Sequence, residues 1–173
     1  MNNPTQNPKP SHPVLQSQEL RLFFISHLNR IYCVKAHLLE RLQELADQVN
    51  FIDLKLTILE TCEDIAKQLN KIEEIYVLMK RKPGLENCDE LIAFIEAGFE
   101  SIHQQSKNQM LRDLSILFYL SLVESIEIAS FQQLKMALVA LNNKQIEHLV
   151  QDSFNESRAG GLLYSQVIAK YIA

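Results

Sequence analysis

The placement of helix breakers constrains this chain more than any other feature. Four of the five prolines (Pro4, Pro8, Pro10 and Pro13) fall in the first thirteen residues, and the rest holds only Pro83 and four glycines. Proline removes a backbone donor and clashes with the preceding turn, so a stretch that avoids it is free to run as long helices. No segment alternates apolar and polar residues long enough to read as a half-buried strand. With 173 residues the chain suits one domain, burying roughly two-thirds of its unfolded surface without staples.

Residues 1–16 are polar and Pro-rich with no apolar period, so they are expected to form a flexible tail ahead of a single domain over 17–173. From Ser17 the sequence turns helical. Leu20, Phe24, Leu28, Ile31, Leu38, Leu42, Leu45 and Val49 recur at steps of three, four and seven. Asn50 and Asp53 have capping-box spacing, opening a second helix whose stripe is Leu54, Ile58, Ile65, Leu69, Ile72, Tyr76 and Met79. Pro83-Gly84 is expected to end it, with Lys80-Arg81-Lys82 complementing the helix dipole. A short third helix follows an Asn87/Glu90 box, with Leu91, Phe94, Ile95, Gly98 and Ile102 inward.

A fourth helix begins after the polar stretch 106–109 and carries Leu114, Leu117, Ser121, Glu124, Ile128, Phe131 and Leu138. Asn142-Asn143 interrupts the pattern, and a fifth helix places Ile146, Leu149, Glu156, Leu163 and Val167 inward. Gly160-Gly161 costs that helix roughly 2 kcal/mol of propensity, so a bend or close packing should offset them. The fold class is therefore all-α: a four-helix bundle with an additional short helix, five helices in total.

Charge and cysteine usage exclude several functions. The formal net charge is −4 and no long basic run occurs, so neither nucleic acid nor an anionic membrane is an expected partner. The longest apolar segment, Leu114–Val123, is ten residues, about half of a bilayer span. Cys33, Cys62 and Cys88 are an odd count at wide spacing, and the N-terminus lacks a basic start followed by an apolar stretch. Reduced thiols in a soluble, cytoplasmic protein are the expectation.

The informative residues are charges inside apolar stripes. Lys35 lies four after Ile31 and three before Leu38; Glu124 and Glu127 sit within the most apolar helix; Glu156 lies midway between Leu149 and Leu163. Asp64 adjoins Ile65 on helix two, and Glu96 adjoins Ile95 on helix three. An isolated buried charge costs several kcal/mol, so such groups survive when paired, protonated or metal-bound. Carboxylates meeting at a four-helix centre are also how dinuclear iron or manganese sites are built.

At Val123-Glu124-Ser125-Ile126-Glu127-Ile128-Ala129 the sequence resembles the YciE/YciF-type ferritin-like family of bacteria, whose penultimate long helix carries Val-Glu-His-Tyr-Glu-Ile-Ala. The likeness runs over about residues 20–170 and includes the Pro83 loop, Cys88, Leu91–Gly98 and the remaining acid Glu156. It implies a ferritin-like bundle, a stress-associated role and a dimetal centre with Asp64, Glu96, Glu124, Glu127 and Glu156 as ligands. The departures fall at that centre. Lys35 stands where the family's first helix has glutamate, Thr61 and Asp64 replace a histidine and a glutamate, and Ala97 replaces one of two adjacent acids. The expectation is a vestigial site in which the Lys35 ammonium, placed among Glu124, Glu127 and Glu156, substitutes for metal charge. Because one lysine cannot neutralise three acids, at least one acid should stay protonated or reach solvent.

No Gly-rich phosphate loop, GxSxG or HExxH occurs. The five histidines (His12, His27, His37, His103 and His148) never stand at ligand spacing with another His or Cys. The chain reads as non-catalytic, with no cofactor expected and a homodimer as its assembly; a further reading discards the metal history and takes the chain as a helical scaffold that dimerises along Leu22, Phe23 and Ile25. The competing reading is an enzyme that binds two iron or manganese ions for oxidase or ferroxidase chemistry.

Overall fold

A computed structural model describes residues 16–84, 88–105 and 107–172. The tail over residues 1–15 and the Asn87 cap lie outside the described residues. Among them are five α-helices and no strand: α1 (Ser17–Ala46), α2 (Ile52–Leu78), α3 (Asp89–Gln104), α4 (Gln109–Ala137) and α5 (Lys144–Ile172). A 3₁₀ turn, Leu138–Ala140, closes α4. The long helices form a closed ring in which α1 packs on α2, α2 on α5, α5 on α4 and α4 on α1. The short α3 packs outside, against α4 and α1.

The buried positions explain why these helices pack side by side. On α1, Phe24, Leu28, Ile31, Lys35, Leu38, Leu42 and Leu45 advance by alternating steps of four and three. On α2 the same steps give Leu54, Ile58, Thr61, Ile65, Gln68, Ile72 and Ile75. This is the seam that lets helices cross at a shallow angle and interlock their side chains. Each fully buried Leu or Ile contributes roughly 1.5–3 kcal/mol.

Two of the predicted stripes are rotated. The buried set of α4 is Asp113, Ile116, Leu117, Leu120, Val123, Glu127, Phe131 and Leu134, with Ala137, so Glu127 rather than Glu124 lies on the seam. On α5 the seam is Ile146, Val150, Ser153, Ser157, Tyr164 and Val167, which leaves Leu149, Glu156 and Leu163 at its edges. Phe94 is exposed on α3, and of the three residues expected to form a dimer surface only Leu22 is exposed, since Phe23 and Ile25 pack on the core.

Helix ends also differ from expectation. The Asn50/Asp53 box is absent; instead the Asp113 carboxylate, reaching from α4, accepts the N–H groups of Asn50 at 2.6 Å and Phe51 at 2.8 Å. The α2 helix ends at Leu78, before Lys80-Arg81-Lys82, and Lys80 takes the left-handed conformation (φ 54°) while Arg81 N–H bonds the Tyr76 carbonyl. Asn29 then fixes the following loop, its Oδ1 accepting from Tyr76 Oη at 2.6 Å and Gly84 N–H at 3.3 Å.

The stretch Gln109–Ala140 is, among the described residues, the one helix long and apolar enough to cross a membrane, well beyond the ten residues counted from sequence. The difference arises because the count from sequence stops at the charges Asp113 and Glu124, whereas the helix continues through both. Here it serves as a core helix against α1, α3 and α5.

Candidate functional site

The core is divided. One apolar cluster joins Val34–Ala46 of α1 to Leu54–Ile65, Ile116–Val123 and Tyr164–Val167; the other joins Phe24–Ile31 to Ile72–Met79, Phe131–Ala137 and Ile146–Val150. Between them lies a polar layer at mid-height, made of Lys35 on α1, Thr61 and Gln68 on α2, Glu124 and Glu127 on α4, and Ser153, Ser157 and Gly160 on α5.

Lys35 is 1% exposed, and its Nζ lies 2.5 Å from Glu127 Oε2, with the Phe131 ring centroid 5.8 Å away. Glu127 is 4% exposed, and its other oxygen, Oε1, is buried without a hydrogen-bond partner. A charge-assisted bond of this kind offsets part of the desolvation cost of both ions. Glu124 lies one turn earlier on α4. Burial, then the Glu127 charge, push its carboxyl up to about 8, with Lys35 opposing and Asp64 adding a small upward push. Near neutral pH Glu124 is therefore mostly protonated, the form that burial favours.

Gly160 explains how α5 passes over this carboxyl: a Cβ there would stand 3.2 Å from Glu124 Oε1. The α5 helix runs unbroken through Gly160-Gly161, and close packing on Glu124 and Ile128 accounts for the pair. Beside it, Tyr164 Oη and Thr61 Oγ1 lie 2.6 Å apart, and Thr61 also donates to the Thr57 carbonyl. Burial and the neighbouring Glu124 raise the Tyr164 phenol above its ordinary range.

The remaining sequence-predicted acids are dispersed. Asp64, Glu124 and Glu156 line one cleft between α2 and α5, with a volume of about 350 Å³. Asp64 is bonded to Lys67 (2.9 Å) and Glu156 to Lys71 (2.5 Å). Glu127 faces Lys35 and a separate recess beside His27 and Arg30. Glu96 lies apart on α3, held by His37 Nε2 at 2.7 Å and Arg41 Nε at 3.0 Å. Sequence reasoning missed Lys71, Asp113, and the seam positions Gln68 and Ser157; a strict four-three count along each helix would have found the last three.

A dimetal centre needs several oxygens converging about 2.0–2.6 Å from shared cations. Among the described residues no group of three or more His, Cys, Asp or Glu is placed to hold one. The residues present do not fit it: an ammonium holds Glu127, lysines hold Asp64 and Glu156, and Glu96 belongs to another network.

The family described as "Domain of unknown function (DUF892)" matches residues 19–172, nearly the whole helical region. This chain belongs to the DUF892 family. Two solved structures share the DUF892 chain's fold. The Escherichia coli stress protein YciF superposes with a TM-score of 0.81 at 19% identity, covering 88% of this chain and 96% of its own. YcfI of Rhodopseudomonas palustris, proposed to be a structural protein, superposes with a TM-score of 0.76 at 20% identity, covering 90% and 96%. At these identities the likeness speaks for the fold, and the YciF-type resemblance read from the residues holds. No curated protein matches the chain significantly.

Proposed function

We propose that this DUF892 protein is a non-catalytic, stress-associated helical-bundle protein whose interior charge is balanced by its own lysine in place of metal. The stress association rests on the kinship with YciF, itself a stress protein. The observation that carries the metal-free reading is the Lys35–Glu127 pair: a cation supplied by α1 already stands 2.5 Å from the carboxylate on the α4 seam. The three buried cysteines, none in a disulfide among the described residues, suit a reducing cytoplasm, and a homodimer is the expected assembly, which light scattering on the full chain would measure.

The test is anaerobic addition of Fe(II), or of Mn(II), then air, desalting and metal analysis. The expected result is retention far below one ion per chain and no oxo-bridged absorption band. Stoichiometric retention would favour the second reading, a diiron or dimanganese carboxylate protein. That reading draws on the shared cleft of Asp64, Glu124 and Glu156, where Glu124 Oε2 and Glu156 Oε2 are buried without partners. Lys35→Glu restores the acid that the family resemblance implies and should raise metal retention if the remaining acids can close on an ion.

A further inference from the structure

Among the described residues, the cleft between α2 and α5 gathers four of the eight buried side-chain atoms that lack a hydrogen-bond partner. Gln68 Oε1, Glu124 Oε2, Glu156 Oε2 and Ser157 Oγ are all buried, all lack a partner and all belong to residues lining this one cleft. Gln68 is 3% exposed and Ser157 is 2% exposed. Buried polar atoms are normally satisfied, so four orphans in one place call for a specific partner. Ser157 makes the point separately: Ser121, Ser125, Ser130, Ser153 and Ser165 each bond back to the carbonyl four residues earlier, whereas Ser157 leaves its hydroxyl free.

The chemistry of the orphans selects the ligand. A glutamine carbonyl, the Glu156 carboxylate and a hydroxyl accept hydrogen bonds, and Glu124 joins them as an acceptor once it releases its proton to an incoming positive charge, so the complement is a donor-rich cation. A metal ion would leave most of a 350 Å³ space unfilled, and the walls include Ile65, Leu162 and Leu163. That volume sits at the lower end of the roughly 300–1,000 Å³ of small-molecule sites. Apolar walls between separate acceptors suit methylenes between separate ammonium groups. We infer that this cleft binds a short aliphatic diamine, with its ammonium ends on Glu124, Glu156, Gln68 and Ser157 and its chain against Ile65, Leu162 and Leu163.

The test is calorimetric titration of the full chain with putrescine, alongside n-butylamine and potassium chloride at matched ionic strength. Saturable binding of one putrescine per chain is expected, with n-butylamine and the variants Gln68→Leu and Ser157→Ala each weaker by about tenfold or more. Both substitutions delete an unpartnered buried atom, so thermal unfolding of each should match or exceed the parent and exclude misfolding as the cause. Absence of saturable binding, or unchanged affinity in either variant, overturns the inference and leaves the metal-free reading standing. Stoichiometric Mn(II) retention without saturable putrescine binding overturns both.

Discussion

Lys35 on α1 and Glu127 on α4 occupy seam positions that apolar residues hold above and below them, and their side chains meet at 2.5 Å with almost no solvent contact. Ile31 and Leu38 flank the lysine; Val123 and Phe131 flank the glutamate. The bundle thus accepts one ion pair where two hydrocarbon side chains would fit the packing pattern. Such a pair is poor evidence for stability in itself, because desolvation cancels most of the Coulomb gain.

Breaking the pair from one side should be far worse than removing it whole. Lys35→Met leaves a buried carboxylate unpaired, and Glu127→Leu leaves a buried ammonium; each is expected to cost about 3–5 kcal/mol. The double variant Lys35→Met/Glu127→Leu should return to the parent's stability or exceed it by about 1–4 kcal/mol. Urea denaturation of the four proteins closes the cycle. If the double variant falls as far as the sum of the singles, the two groups are not coupled.

Glu124 gives the molecule a specific pH response. Its folded-state carboxyl is raised from 4.5 to about 8 by burial and by Glu127, with Lys35 opposing and Asp64 adding, so the folded chain holds a proton that the unfolded chain releases. The folded state then binds more protons between these limits, and stability falls as pH rises from 4.5 towards 8. Glu124→Gln removes that dependence. The variant should match the parent near the lower limit and exceed it in melting temperature at pH values above the upper one. Parallel pH–stability curves for the two proteins would show that Glu124 is not protonated in the fold.

The helices were legible in the sequence because long breaker-free stretches and four-three spacing are local properties. The α1 stripe is the clearest case: Phe24, Leu28, Ile31, Leu38, Leu42 and Leu45 are all buried as the spacing demands. The α5 stripe was misread because Leu149 and Leu163 are the larger apolar residues, while the positions that face the core are Val150, Ser153, Ser157 and Tyr164. Small polar residues carry no hydrophobic signal, yet they are what allow α5 to approach the acids of α4. The same bias made Glu124 and Glu156 look central when Glu127 holds the seam on α4 and Ser157 holds it on α5. Charge partners were legible only in part. Lys35 announced itself by breaking an apolar stripe, whereas Lys71 reaches across from another helix and nothing local marks it.

Asp113 should prove more costly to lose than its place beside a turn suggests. The carboxylate is fully buried and accepts two backbone N–H groups at the start of α2, with Arg112 lying alongside and also bonding the Gln48 carbonyl. It performs for α2 what a capping side chain performs locally, and it ties α4 to the α1–α2 turn. Asp113→Ala removes the oxygen that accepts both bonds and should destabilise the fold by about 1.5–3 kcal/mol per charged hydrogen bond lost, less what water recovers. Hydrogen exchange should accelerate first at Asn50 and Phe51. Unchanged protection at those amides would mean that the carboxylate is not their cap.

The adjacent glycines of α5 should respond in opposite ways to the same methyl group. In a helix interior, glycine to alanine is worth about 0.5–1 kcal/mol of stability when the new Cβ has room. At Gly161 that Cβ would meet Ile128 Cδ1 at 3.6 Å, an ordinary contact, so Gly161→Ala should stabilise the protein by that amount. At Gly160 it would stand 3.2 Å from Glu124 Oε1, closer than an ordinary contact, so the buried carboxyl must shift by a few tenths of an ångström and that displacement offsets the gain. Gly160→Ala should therefore fail to stabilise the parent, and should gain the full helix-propensity benefit in a Glu124→Ala background. Equal gains at both glycines in the parent protein would show that α5 does not rest on the Glu124 carboxyl.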